Sequence, residues 1–96
     1  MTRSIDAQAQ LFQSMEIISI KEGQGHSKYI ADVVIDGVLY KGVKFGDKRY
    51  QHYKDRTYLK LYSHLDHGDK ERLRLFHLRH KKNNGPSALL SKRFLW

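Results

Sequence analysis

Apolar residues along this chain change their spacing twice. Over residues 16–45 they crowd into short, largely β-branched runs: Ile17, Ile18 and Ile20, then Ile30, Val33, Val34 and Ile35, then Val38, Leu39 and Val43. Branched side chains suit extended backbone, where they pack on a pleated surface. Strands are therefore predicted over residues 16–22, 28–35 and 38–45, with Gly23-Gln24-Gly25 breaking the first from the second. Asp36-Gly37 separates the second from the third, and this is the dipeptide a type I′ turn prefers because both central residues need positive φ. A two-residue turn fixes register. It sets Ile35 opposite Val38, Val34 opposite Leu39, Asp32 opposite Lys41 and Ile30 opposite Val43. One face then carries Ala31, Val33, Ile35, Val38 and Tyr40, and the other Ile30, Val34, Leu39 and Val43 around an Asp32–Lys41 pair.

Beyond Gly46-Asp47 the spacing becomes helical. Tyr58, Leu61, Tyr62 and Leu65 stand at i, i+3, i+4 and i+7, which predicts a helix over residues 50–65, although residues 57–62 also alternate as a strand does. Asp69 is placed to cap a further helix over residues 70–82, which Asn83-Asn84-Gly85-Pro86 ends. Leu73, Phe76 and His80 share the face of that helix that should meet the core. In residues 83–96, Leu89, Leu90, Phe94, Leu95 and Trp96 call for burial. This tail is expected to fold back and cover Leu75 and Leu78. Residues 1–15 are expected to form an arm, or a short helix over residues 5–14, with Leu11 and Phe12 as its anchors. The expected fold is α+β in one domain, residues 1–96: a three-stranded antiparallel β-meander (16–46), a helical part (50–82) giving two helices, and an ordered C-terminal tail (83–96).

Composition bounds the chemistry. Ninety-six residues, 40% of them hydrophobic, make one small domain with one modest core. There is no cysteine, so disulfides and thiolate metal sites are excluded. No apolar run approaches the ~20 residues that span a bilayer, and the N-terminus has no apolar signal-peptide core. No membrane partner and no secretion are therefore expected.

Charge carries the functional reading. Residues 70–96 hold Lys70, Arg72, Arg74, Arg79, Lys81, Lys82, Lys92 and Arg93 against Glu71 alone, a net +7 of the chain's +8. Residues 1–69 are nearly balanced, with ten Lys/Arg and nine Asp/Glu. A solvated helix face normally mixes signs, so this one-sided stretch reads as a surface for a polyanion. On the helix, Lys70, Arg74, His77 and Lys81 form one stripe, while Arg72 and Arg79 form another with Lys82 beyond. Tyr50, Tyr53, Tyr58 and Tyr62, with His52, are interleaved with Lys54, Arg56 and Lys60 and are candidates to stack on unpaired bases. Tyrosines at helical spacing are more often core and rim.

His64, His67, His77 and His80 form two H-x2-H pairs, with Asp66 and Asp69 nearby, and are weak metal-ligand candidates. The Arg and Lys crowding the second pair disfavour a dication. No nuclease arrangement, Gly-rich phosphate loop, serine elbow or nucleophilic cysteine is present. No enzyme, no metal and no cofactor are expected.

Three segments occur together in order: Lys44-Phe45-Gly46 with Tyr50 and Tyr53; His67-Gly68-Asp69-Lys70-Glu71-Arg72 running on to Arg79-His80-Lys81-Lys82; and Leu90-Ser91-Lys92-Arg93-Phe94-Leu95-Trp96. In this order they resemble small basic proteins of unknown function encoded by nucleocytoplasmic large DNA viruses. The resemblance covers residues 28–96 and departs from the family pattern between Tyr53 and His67, where this chain carries extra residues. It implies a viral setting, in the virion or in the nucleus or cytoplasm of an infected cell, and brings no known activity. The expectation is a non-enzymatic nucleic-acid-binding viral protein with little sequence preference, DNA being favoured over RNA. The alternative is a small virion structural protein, a minor capsid or core component, binding acidic viral proteins.

Overall fold

A computed structural model describes residues 14–96 of the chain. The helix expected over residues 5–14 lies, but for Ser14, outside the described residues. Three antiparallel strands, β1 (Met15–Glu22), β2 (Ser27–Ile35) and β3 (Val38–Asp47), form one sheet in the order β1-β2-β3. A 3-10 turn (Ser63–Leu65) and two helices follow, α1 (Lys70–Arg79) and α2 (Pro86–Phe94). The fold is α+β, as the spacing of apolar residues indicates.

The hairpin between β2 and β3 closes through Asp36-Gly37, both at positive φ (51° and 82°), as a type I′ turn requires. Ile35 pairs with Val38 and Val34 with Leu39. The expected register fails two residues further on. Val33 faces Tyr40 and Ala31 faces Val43, so Asp32 stands against both Lys41 and Gly42 in a β-bulge. Gly42 takes φ +66°, and its N–H donates to Asp32 Oδ1 at 2.9 Å. Asp32 thus binds backbone rather than the Lys41 ammonium. The extra residue also moves Val43 to the Ala31 face and sets Ile30 opposite Lys44.

β2 is the spine of the core. Tyr29, Ala31, Val33 and Ile35 alternate along it and are all buried, joined by Ile20, Phe45, Tyr62, Leu90 and Leu95. α2 lies against β3, where Ser87 Oγ donates to Lys44 O at 2.7 Å and the rings of Phe45 and Phe94 pack at 6.0 Å. Gly46 lets the chains approach. A Cβ there would fall 2.7 Å from Leu95 Cδ1 and 2.9 Å from Lys28 Cδ, and its φ is +77°.

Residues 50–62 are not the helix their apolar spacing suggests. Tyr62 is buried, while Tyr58 and Leu61 point outward, so no stripe faces the core. The segment is held by side chains that bind backbone and so compete with a helical ladder. Asp55 is fully buried: Oδ1 accepts from Thr57 N and Thr57 Oγ1 (3.0 and 2.6 Å), Oδ2 from Tyr29 Oη and Tyr62 N (2.5 and 3.1 Å). The same segment covers the end of α2. Tyr53 N and Lys54 N donate to Leu95 O, Arg56 N donates to Phe94 O, and the Arg56 guanidinium reaches Lys92 O and Arg93 O.

Candidate nucleic-acid interface

α1 begins where the sequence places it. Asp69 Oδ1 accepts from the backbone N–H groups of Glu71 and Arg72 at 2.9 and 3.1 Å, satisfying donors that the first turn leaves without partners. It ends earlier than expected, at Arg79 with His80 as its C-cap. Lys81 and Lys82 therefore lie in the following turn and do not extend the helical stripes. No residue of α1 is buried. Leu73, Phe76, His77 and His80 are half-buried and form the inward seam.

The tail supplies the partner of that seam. Beyond Pro86, residues 86–94 are helical, and Trp96 stacks on Phe76 with ring centroids 4.3 Å apart and planes 2° from parallel. His67 packs on the indole at 5.2 Å, and His80 packs on Phe76 at 4.4 Å. The tail folds back as expected but not over Leu75 and Leu78; Leu78 remains 55% exposed. Phe76 rather than either leucine is the docking point because it lies on the seam.

Tyr50, Gln51, Arg72, Leu75, Arg79 and Trp96 line a cleft of about 250 Å3 between α1 and the segment after β3. Arg72, Leu75 and Arg79 stand at i, i+3 and i+7, on one flank of α1. Arg72 Nη1 donates to Gln51 Oε1 at 3.0 Å across the cleft. Tyr50 is 63% exposed, and the Arg49 guanidinium stands 5.6 Å over its ring.

The eight expected binding cations divide by environment. Lys70, Arg72, Arg74, Arg79, Lys81, Lys82 and Arg93 are exposed, and Lys92 is half-buried. Glu71 takes Arg74 in a two-point pair. Lys92 Nζ donates to Asn83 O at 2.8 Å. Among the described residues no carboxylate pairs with the other six.

Of the four candidate stacking tyrosines, only Tyr50 borders the cleft. Tyr53 is half-buried, edge-on to His67 at 6.1 Å. Tyr58 is exposed, but its hydroxyl donates to Ile20 O on β1. Tyr62 is a core residue, edge-on to Tyr29, with its hydroxyl on Glu22. His52 is fully buried and has no face for a base.

The histidines are likewise dispersed. His67 Nδ1 accepts from Asp69 N, His77 Nε2 lies 3.0 Å from the Trp96 backbone oxygen, His80 rests on Phe76 and His64 lies beside Tyr62. Among the described residues no three His, Asp or Glu side chains converge to hold a metal ion. Burial, and then the nearby Arg72 charge, lower His67 below the ordinary histidine value, which favours the neutral ring. A neutral ring can pack against the indole.

Sequence reasoning missed a buried polar chain beneath the 50–68 segment. Lys28, on β2, is 1% exposed, and its Nζ donates to Tyr50 O at 2.9 Å and to His52 Nδ1 at 2.7 Å. His52 Nε2 donates to Asp66 Oδ1 at 2.6 Å, which also accepts from Asp55 N. These contacts fit the neutral Nε2–H tautomer. Burial, and then the Lys28 charge, lower His52, and Asp66 opposes them. Burial lowers Lys28 to about 8 against the pull of Asp47, Asp55 and Asp66. Burial would raise the Asp55 carboxyl, but hydrogen bonds from Thr57 and Tyr29 outweigh it and hold Asp55 below its ordinary value. Neither Lys28 nor His52 borders the cleft, so their evident work is to hold Tyr50 and the loop on the sheet. Only the Asp55-Arg56-Thr57 triplet, able to bind its own backbone, offered a signal for this. Lys28 in a strand pattern offered none.

Searches against protein-family models, curated proteins and solved structures found no match to this chain.

Proposed function

We propose that this chain is a non-enzymatic nucleic-acid-binding protein that uses α1, the turn after it and the tail. DNA is favoured over RNA by the viral setting that the sequence resemblance implies. The observation that carries the reading is the concentration of charge. Residues 70–96 hold eight cations and one acid, and that acid is already bound to Arg74. Lys92 rests on Asn83 O, and the other six are exposed with no carboxylate partner among the described residues, which is the electrostatic footprint of a phosphate-binding surface. Phosphate contacts would dominate and sequence preference would be slight. Fluorescence anisotropy with labelled duplex, single strand and RNA tests this. The reading expects dissociation constants on the order of 10−6 to 10−4 M at moderate salt. Absence of binding to all three at about 50 mM salt overturns it.

A second reading, a small virion structural protein that docks on acidic subunits, draws on a different observation. Val38, Leu39 and Tyr40 on β3 and Ile18 on β1 are large apolar side chains, each more than a third exposed. Apolar surface of this kind suits a protein interface. A co-sedimenting protein partner that is displaced by both Leu39→Lys and Arg79→Glu, with no nucleic acid bound, would favour this reading over the first.

A further inference from the structure

We infer that the cleft beside α1 takes one unpaired base, so that the protein prefers single-stranded nucleic acid to duplex. The inference rests on the nucleic-acid reading and specifies the form of the ligand. A surface that met only phosphates would need only cations. This cleft is lined by the apolar Leu75, by Tyr50 and by Trp96, whose indole has one face on Phe76, together with Arg72 and Arg79. Flat apolar surface suits the face of a base, and guanidinium planes both stack and bind phosphate.

Size and spacing agree with a single base. The cleft, about 250 Å3, falls below the roughly 300 Å3 at which drug-sized sites begin. A base inside a duplex is stacked on both faces and paired along its edge, so it must be unstacked and flipped before it can enter. Arg72 and Arg79 are two turns apart, about 10.5 Å along the helix axis. They flank Leu75, and a strand that inserts a base there places phosphates toward both.

The walls are already held in place. Trp96 is fixed by Phe76 on α1 and by His67. Tyr50 is tied through its carbonyl to the buried Lys28, and Gln51 through its Oε1 to Arg72. Gln51 keeps its amide N–H groups to donate to acceptors on a base edge.

Trp96 is the sole tryptophan of the chain, so its fluorescence reports on the cleft. The test titrates it with a short single-stranded DNA, with the same backbone carrying abasic sites, and with the duplex, all at one salt concentration. The single strand should quench saturably and bind about tenfold tighter than the other two, the worth of one stacked base. Tyr50→Ala should remove that preference without changing the salt dependence, and Tyr50→Phe should keep it. Tyr50 is exposed, so these variants should keep their fold, which circular dichroism verifies. Equal affinity for all three ligands, or a preference untouched by Tyr50→Ala, overturns the inference and leaves nucleic-acid binding standing. No binding to any ligand overturns that reading as well.

Discussion

The indole of Trp96 lies flat against the phenyl ring of Phe76, 4.3 Å away and 2° from parallel. The stack joins the last residue of the sequence to the middle of α1, a helix with no buried residue of its own. Most helical stability in proteins comes from packing one face, and a ten-residue helix is marginal by itself. Trp96 is therefore a mooring of the basic helix.

Trp96→Ala should accordingly act locally. Truncating a core tryptophan costs about 3–5 kcal/mol, and a half-buried one should cost about 2 kcal/mol. Hydrogen exchange should show the amides of α1 losing protection while those of β2 keep theirs. Equal loss across α1 and the sheet would mean that the helix is not a separately moored unit.

Asp55→Ala should be the more damaging change. Its carboxylate accepts from Tyr29 Oη, Thr57 Oγ1, Thr57 N and Tyr62 N, all of them enclosed. Hydrogen bonds to charged groups are worth about 1.5–3 kcal/mol each, so urea denaturation should show a loss of about 3 kcal/mol or more. A loss under about 1 kcal/mol would mean that water replaces the carboxylate at little cost.

Stability should rise with pH in the alkaline range because of Lys28. Folding lowers its ammonium from 10.5 to about 8, chiefly by burial. Between those values the unfolded chain holds a proton that the folded chain has released, so stability grows with pH there. Tyr29, pushed up to about 12 by burial and by Asp55, opposes this only above its ordinary 10.0. Urea midpoints should therefore climb from about pH 8 to pH 10, and Lys28→Met should flatten the climb. The same slope in both proteins would show that Lys28 keeps its proton when buried.

Gly46→Ala should destabilise through two effects. Its φ of +77° disfavours any Cβ, and the new methyl would meet Leu95 Cδ1 at 2.7 Å and Lys28 Cδ at 2.9 Å, both on fully buried residues. Left-handed backbone costs about 1–2 kcal/mol and overpacking about 1–3 kcal/mol, so a melting curve should report about 2 kcal/mol or more. Unchanged melting would mean that β3 and α2 separate readily at this point.

The meander was legible because its signals are local: β-branched runs and an Asp-Gly turn that allows only one hairpin. The bulge at Asp32 was not, because it depends on Asp32 preferring the Gly42 N–H to the Lys41 ammonium. Residues 50–62 misled for a related reason. Tyr58, Leu61, Tyr62 and Leu65 have helical spacing, but Asp55 and Thr57 bind backbone and Tyr29 Oη receives Leu61 N, so tertiary hydrogen bonds decide the path. The one-sided charge of residues 70–96 could be read directly from the sequence. The cleft could not, since Tyr50 and Gln51 are held beside α1 through Lys28, His52 and Asp66, and Trp96 through Phe76 and His67.

The central claim is that the cations of residues 70–96 bind phosphates, and the most direct measurement is the salt dependence of affinity. Each phosphate neutralised contributes about −0.9 to the slope of log K against log salt on duplex DNA and about −0.7 on single strands. The six exposed cations without a carboxylate then give about −5 on duplex and about −4 on single strand. Arg79→Glu should make either slope shallower by at least one phosphate contact. A slope near zero, or one that Arg79→Glu leaves unchanged, would contradict the account.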